Sequence, residues 1–244
     1  MHRFHVSSKD ISSEQIVISD KELIHHIKDV LRLKEKDSVV IFDDMGDEYS
    51  AAIKRLLPQE IILKVIRKQE ERALSKFSIA IACAIPKKCK MDDIIDKLTQ
   101  LGVDKIIPME TERVIVKLDK RKKAARLLRW RKIALSAAEQ SQRRVVPTVE
   151  PIKDIKNVLS EAGSYDLKII PALIGERRAL KDILAPSQAK NILVLIGPEG
   201  DFTPQEVELA KGADCIPVTL GELVFRVDTA AIAVASFIKL YADS

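Results

Sequence analysis

A chain of 244 residues has room for one large domain or two modest ones, and 46% hydrophobic against 32% charged residues gives it material for a real core and excludes a disordered chain. Aromatics at 4% leave that core to Ile, Leu, Val and Ala, which favours α/β packing over a β-sandwich. The net charge of +5 permits a polyanionic partner, and its distribution says more: residues 1–70 carry 12 Lys/Arg against 13 Asp/Glu, whereas residues 113–132 carry 10 Lys/Arg against Asp119 alone.

In chain order, the first 70 residues read as short strands. Ser19-Asp20 is set to cap a helix over Lys21–Arg32, with Leu23, Ile27 and Val30-Leu31 on one face. Val39–Phe42 runs into the turn Asp43-Asp44-Met45-Gly46-Asp47, then Tyr49–Ile53 and, after Pro58, Ile61–Ile66; this is a hairpin inside a small β-barrel. The charged stretch Lys68–Lys76 reads as a linker, which divides the chain into domains 1–70 and 74–244.

Beyond it, strands and helices alternate. Ser78–Ile85 is a buried strand stopped by Pro86. Met91–Leu101 has helical spacing at Met91, Ile94-Ile95, Leu98 and Leu101, with Gly102 as its stop. Lys105–Pro108 is a strand and Lys120–Ser141 a long helix. Leu167–Pro171 and Ile192–Ile196 are buried strands, Pro204–Lys211 is a helix capped by Thr203, Cys215–Leu220 is a strand, and Thr229–Tyr241 is a very apolar helix. The alternation predicts a parallel sheet covered on both faces.

Two loops at strand ends could carry chemistry. The strand Leu193–Ile196 runs straight into Gly197-Pro198-Glu199-Gly200-Asp201 and then the capped helix. In open α/β sheets ligands bind at the carboxyl ends of strands, where glycine lets the backbone approach and proline stiffens the loop. The same residues would also serve as a tight connection with no ligand. The second, Leu220-Gly221-Glu222-Leu223-Val224-Phe225-Arg226-Val227-Asp228, places Arg226 and Asp228 just before a nearly all-apolar helix. Charges beside such a stretch are rarely idle, although Asp228 as a helix cap and Arg226 as a surface residue would satisfy the pattern too. Neither GxGxxG nor GxxxxGK[ST] occurs, which argues against a dinucleotide fold or a P-loop. His2, His5, His25 and His26 show no metal-ligand spacing, and Cys83, Cys89 and Cys215 form no CxxC pair and fit a reducing compartment. Met1-His2-Arg3 is not followed by a signal-peptide apolar region and no run reaches membrane-spanning length, so the expectation is a cytoplasmic chain. The basic run Lys120-Arg121-Lys122-Lys123, Arg126, Arg129, Arg131-Lys132 and Arg143-Arg144 covers several helical faces and points to phosphate contacts, or else to a solvated face.

Leu195-Ile196-Gly197-Pro198-Glu199-Gly200, followed by Leu220-Gly221 through Arg226 and Asp228-Thr229-Ala230, resembles the SPOUT methyltransferases, and within them the RsmE family. Ala138-Glu139-Gln140-Ser141 with Arg143 and Pro147, Lys97 with Leu101-Gly102-Val103, Thr111-Glu112-Arg113 and Val30-Leu31-Arg32-Leu33 match further segments in the right order. The chain departs from the family at Asp201, usually a second glycine, at Leu223, usually arginine, at Asp228, usually glutamate, and at Val114, usually serine. The resemblance implies a trefoil-knotted parallel-sheet domain with a PUA-like N-terminal barrel, a homodimer, S-adenosylmethionine as cofactor, and N3 of a uridine in 16S RNA of the small ribosomal subunit as target. Ile196, Gly197, Pro198, Glu199, Gly200, Leu220, Gly221, Leu223, Val224, Phe225 and Thr229 would then hold the cofactor. Arg226, with Asp228 or Glu199, would serve the chemistry. Arg32, Lys88, Arg113, Arg126, Arg129, Arg143 and Arg144 would face RNA.

Overall fold

A computed structural model describes residues 1–69, 77–87, 91–113, 118–185 and 187–242. The chain folds into two compact units, Met1–Ala73 with Ala138–Val146, and Leu74–Ala137 with Pro147–Ser244. Most of the linker expected at Lys68–Lys76 lies outside the described residues, as do Lys88, Cys89 and Val114.

The first unit is a curled five-stranded sheet. Its strands are β1 (His2–His5), β2 (Gln15–Ile18), β3 (Ser38–Phe42), β4 (Glu48–Leu56) and β5 (Ile61–Lys68), in the order β1-β3-β4-β5-β2. The β3–β4 hairpin is the one expected from the acidic turn; Asp43 Oδ1 accepts from Met45 N and Asp47 N, both at 2.9 Å, which closes that turn. Alternate residues point inward, so Ile16, Ile18, Val39, Ile41, Ala51, Ile53, Ile61 and Leu63 share one core. β1 pairs parallel to β3, a partnership across 37 positions that no local pattern announces.

The helix expected over Lys21–Arg32 is shorter and changes pitch. α1 (Lys21–His25) is capped by Asp20, whose carboxylate accepts from Leu23 N at 2.8 Å, and then passes into a π-turn at His26–Val30. Widening the turn rotates the apolar stripe, so Ile24 and Ile27 are buried while Val30 is exposed. Arg32, at φ +54°, ends the segment. The first unit also includes Ala138–Val146. There Glu139 Oε1 accepts from His5 N at 3.1 Å, and the carbonyl of Arg143 accepts from Arg3 Nη2 at 2.9 Å.

The second unit is built on an all-parallel sheet of eight strands: β6 (Ser78–Ala84), β7 (Lys105–Glu110), β8 (Thr148–Val149), β9 (Lys153–Asp154), β10 (Leu167–Pro171), β11 (Arg178–Ala179), β12 (Asn191–Ile196) and β13 (Ile216–Thr219). Its order is β11-β13-β10-β12-β6-β7-β8, with β9 also on β7. The helices are α2 (Met91–Gln100), α3 (Lys120–Gln140), α4 (Ile155–Ser160), α5 (Leu180–Leu184), α6 (Pro204–Gly212) and α7 (Val227–Ala242). α4 and α6 cover one face: Ile155, Val158, Val207 and Ala210 pack on Ala80, Ala82, Ile107, Leu193 and Leu195. The intervening residues Ile79, Ile81, Cys83, Val194 and Ile196 are equally buried on the other face, where α7 meets β6 and β12 and α2 meets α7. Central strands buried on both faces explain why they read as continuous apolar runs. α7 begins at Val227, so Asp228 sits in its first turn rather than ahead of it. The short elements β8, β9, α4, β11 and α5 carry no periodicity long enough to read in advance. Among the described residues no helix is long and apolar enough to cross a membrane, and no group of three or more His, Cys, Asp or Glu could hold a metal ion.

Candidate active site

β10 pairs with both β12 and β13, so the carboxyl ends of these three strands lie side by side. The loops leaving them line a cleft partly open to solvent. The loop after β12 contributes Ile196, Gly197, Pro198, Glu199 and Asp201; the loop after β13 contributes Leu220, Gly221, Leu223, Val224 and Phe225; the loop after β10 contributes Ala172, Leu173 and Arg177.

Each loop has a local reason for its shape. After β12, Asp201 N donates to the Pro198 carbonyl at 3.0 Å, closing a tight turn with Asp201 in the left-handed region at φ +61°. Phe202, 1% exposed, packs back beneath that turn; a Cβ on Gly197 would stand 3.0 Å from two of its ring carbons. Thr203 then caps α6 in a reciprocal box: its hydroxyl accepts from Glu206 N at 3.2 Å, and Glu206 Oε2 accepts from Thr203 N at 2.9 Å. Glu206 is 4% exposed, and its other oxygen accepts from Glu112 N at 2.9 Å, tying in the loop after β7. Arg113 Nη1 donates to the Gly200 carbonyl from the same loop. After β13, Thr219 Oγ1 donates to the Gly221 carbonyl at 3.0 Å and accepts from Gly221 N at 3.2 Å, with Gly221 at φ +121°. Side chains rarely adopt that backbone conformation.

The expected cofactor residues fall mostly on this cleft. Ile196 to Glu199, Leu220, Gly221 and Leu223 to Phe225 line it, whereas Gly200 and Thr229 do not. Leu223 and Val224 are 77% and 72% exposed on its rim. Of the expected catalytic groups, Glu199 lines the cleft and its Oε1 accepts from Lys87 N at 3.0 Å; Arg226 and Asp228 lie outside the lining, Arg226 exposed and Asp228 half-buried with Oδ1 accepting from Thr229 N at 3.0 Å. Both carboxylates make themselves felt at the end of β6: burial drives the Cys83 thiol far above its ordinary range, and the charges of Asp228 and Glu199 push it further. Sequence reasoning missed Ala172, Leu173 and Arg177, although the strand-end rule applied to Leu167–Pro171 would have found them; Asp201 stood in the loop it singled out but not among the expected cofactor residues.

The basic candidates are less uniform than their sequence suggests. Acceptors from other elements answer several: Arg129 pairs with Asp92 at 2.6 Å, Lys123 with Glu110 at 2.6 Å, and Arg131 Nε donates to the Val149 carbonyl at 3.2 Å. Arg126 is half-buried on the same helix. In the first unit Arg32 is exposed, Arg143 is half-buried, and Arg144 reaches Glu48 at 3.7 Å.

The family described as RNA methyltransferase domain matches residues 73–239, and the RNA methyltransferase PUA domain matches residues 18–66. The ribosomal RNA small subunit methyltransferase E of Bacillus subtilis is 31% identical over 223 residues, 89% of this chain and 87% of its own length. The chain belongs to the ribosomal RNA small subunit methyltransferase E family. The member from Neisseria gonorrhoeae, solved bound to S-adenosyl methionine, superposes with a TM-score of 0.88 at 30% identity, covering 99% of this chain and 98% of that one. A putative methyltransferase from Legionella pneumophila, solved in complex with the same cofactor, gives 0.88 at 28% identity over 98% of this chain and 97% of its own. Family membership thus coincides with the α/β fold on a parallel sheet and the curled N-terminal sheet described above.

Proposed function

We propose that this chain methylates small-subunit ribosomal RNA, 16S RNA in bacterial terms, at N3 of a uridine with S-adenosylmethionine as methyl donor. The observation that carries the reading is the cleft built by two glycine-containing loops at the carboxyl ends of β12 and β13, in a chain of a family with members solved bound to that cofactor. The residues fit such a guest. Gly197 keeps the floor of the loop clear, the peptides of Leu220–Phe225 offer backbone donors and acceptors, and Glu199 brings negative charge to a pocket that must receive a cation. When bound, S-adenosylmethionine supplies an electrophilic methyl group on sulfur.

The remaining work falls to the chain. N3 of uracil carries a proton and is a poor nucleophile until that proton leaves. Glu199 or Asp228 accepts it. Arg226, exposed beside the cleft loop, offsets the negative charge developing on the base. Holding base and cofactor in one geometry supplies much of the acceleration, and a base inside a helix has to be unstacked first. Arg32, Lys88, Arg113, Arg126, Arg129, Arg143 and Arg144 are the candidates for the RNA backbone. The chain works as a cytoplasmic homodimer in this reading; the stripe Phe237, Leu240 and Tyr241 on α7, 40%, 72% and 41% exposed, supports α7 as the surface a second copy covers. The trefoil-knotted topology belongs to the same proposal, supported by the insertion of the late strand β12 between β10 and β6.

Transfer from labelled S-adenosylmethionine to small ribosomal subunits and to bulk tRNA, with mass mapping of the product, tests it. N3-methyluridine in the subunit RNA is expected; label in tRNA alone would overturn the target. Arg226→Ala should lower turnover by about a hundredfold or more while cofactor binding persists; unchanged turnover would remove Arg226 from the mechanism.

A further inference from the structure

Asp201 stands in a backbone conformation that side chains other than glycine seldom take, φ +61°. Such outliers persist where surrounding structure holds them, and they gather at functional sites. Asp and Asn tolerate this region because a short polar side chain can bond to its own neighbouring backbone. Asp201 does something else. Its Oδ2 accepts from the backbone N–H of Leu173, 28 positions earlier, at 2.9 Å.

That amide is half of one peptide unit at the point where β10 leaves the sheet. Ala172 N still makes a bond to its neighbour strand, donating to the Val218 carbonyl at 3.2 Å. The carbonyl of Ala172 accepts from Arg177 Nη1 at 3.1 Å. The amide of Leu173, the other side of the same peptide, goes to Asp201. Both ends of the Ala172–Leu173 peptide are therefore held, one by a side chain of its own loop and one by the loop after β12. Beyond it Leu173, Ile174, Gly175 and Glu176 are exposed, so little packing fixes this segment. Ala172, Leu173 and Arg177 form one wall of the cleft, and Asp201 lines it too.

From this geometry we infer that Asp201 is a positioning residue for the cofactor pocket: its carboxylate clasps the Leu173 amide and fixes the wall that the loop after β10 presents to the ligand. The inference rests on the cleft being the S-adenosylmethionine site. Asp201→Gly relieves the backbone and removes the clasp; Asp201→Asn keeps a carbonyl acceptor and still tolerates φ +61°. The two variants therefore separate backbone relief from loss of the bond.

The measurements are amide hydrogen exchange at Leu173 in the ligand-free protein, Tm, and calorimetric Kd for S-adenosylmethionine. In Asp201→Gly, exchange at Leu173 should accelerate, Tm should hold or rise, and Kd should weaken about five- to tenfold, the scale of one lost hydrogen bond. Asp201→Asn should recover most of the affinity and protection. A wild-type chain that fails to bind S-adenosylmethionine would overturn the cofactor reading, and this inference with it. A wild type that binds, alongside an Asp201→Gly that binds equally well or exchanges equally slowly at Leu173, would overturn the role of Asp201 alone. So would an Asp201→Asn as impaired as the glycine variant.

Discussion

Gly197 shows how a single hydrogen in place of a methyl group shapes the cleft. The Phe202 ring packs beneath the loop, and the missing Cβ is what lets it do so. Gly197→Ala should cost about 1–3 kcal/mol through overpacking and weaken S-adenosylmethionine binding, measured by denaturant unfolding and calorimetry; full stability would show that the ring moves aside freely. The glycines of both loops were legible in the sequence because each closes an apolar run, a one-dimensional signal. Leu173, Arg177 and the clasp made by Asp201 were not. Their roles arise from bonds between loops that follow different strands, and nothing in the spacing of Leu173 and Asp201 says that they meet. Arg226 and Asp228 were legible as charges beside an apolar helix, but the start of α7 at Val227 was read two residues late, which misplaced Asp228 relative to the first turn.

Elements long enough to repeat their pattern were read well. β6, α2, α3, β10, β12 and α6 all stand within a residue or two of their expected bounds, because each carries several turns or pleats of consistent periodicity. α6 also announced its start through Thr203 followed by Glu206. Removing the cap by Thr203→Ala should destabilise the protein by about 1 kcal/mol, read from a shift in denaturant midpoint at constant slope. No shift would mean that Pro204 and Glu206 suffice to start the helix. α1 was misread for the opposite reason: five residues of π-turn change the period within one short helix, and no composition signal marks that change. The acidic partners of α3 were not legible, because Asp92 and Glu110, which pair with Arg129 and Lys123, come from other elements.

At the scale of the molecule, the barrel-like first unit takes in a segment that the chain supplies only after most of α3. A polypeptide of residues 1–73 would lack Glu139 and the Arg143 carbonyl, leaving His5 N and Arg3 Nη2 without these acceptors. It should unfold at lower denaturant than the same unit within the full chain, and a peptide spanning residues 138–146 should shift the midpoint back; equal midpoints would mean that the five strands stand alone. The parallel sheet holds a further consequence, one of time. β6 meets β7 soon after both are made, but its other edge waits for β12, with Ser78 in register with Asn191. At a synthesis rate of about 5–20 residues per second, that edge stays open for on the order of ten seconds. The strand left open, Ser78-Ile79-Ala80-Ile81-Ala82-Cys83-Ala84, has no charge and no proline. Unpaired apolar edges of this kind recruit other chains, so a nascent copy is at its most vulnerable to aggregation before the methyltransferase sheet has received its central strand.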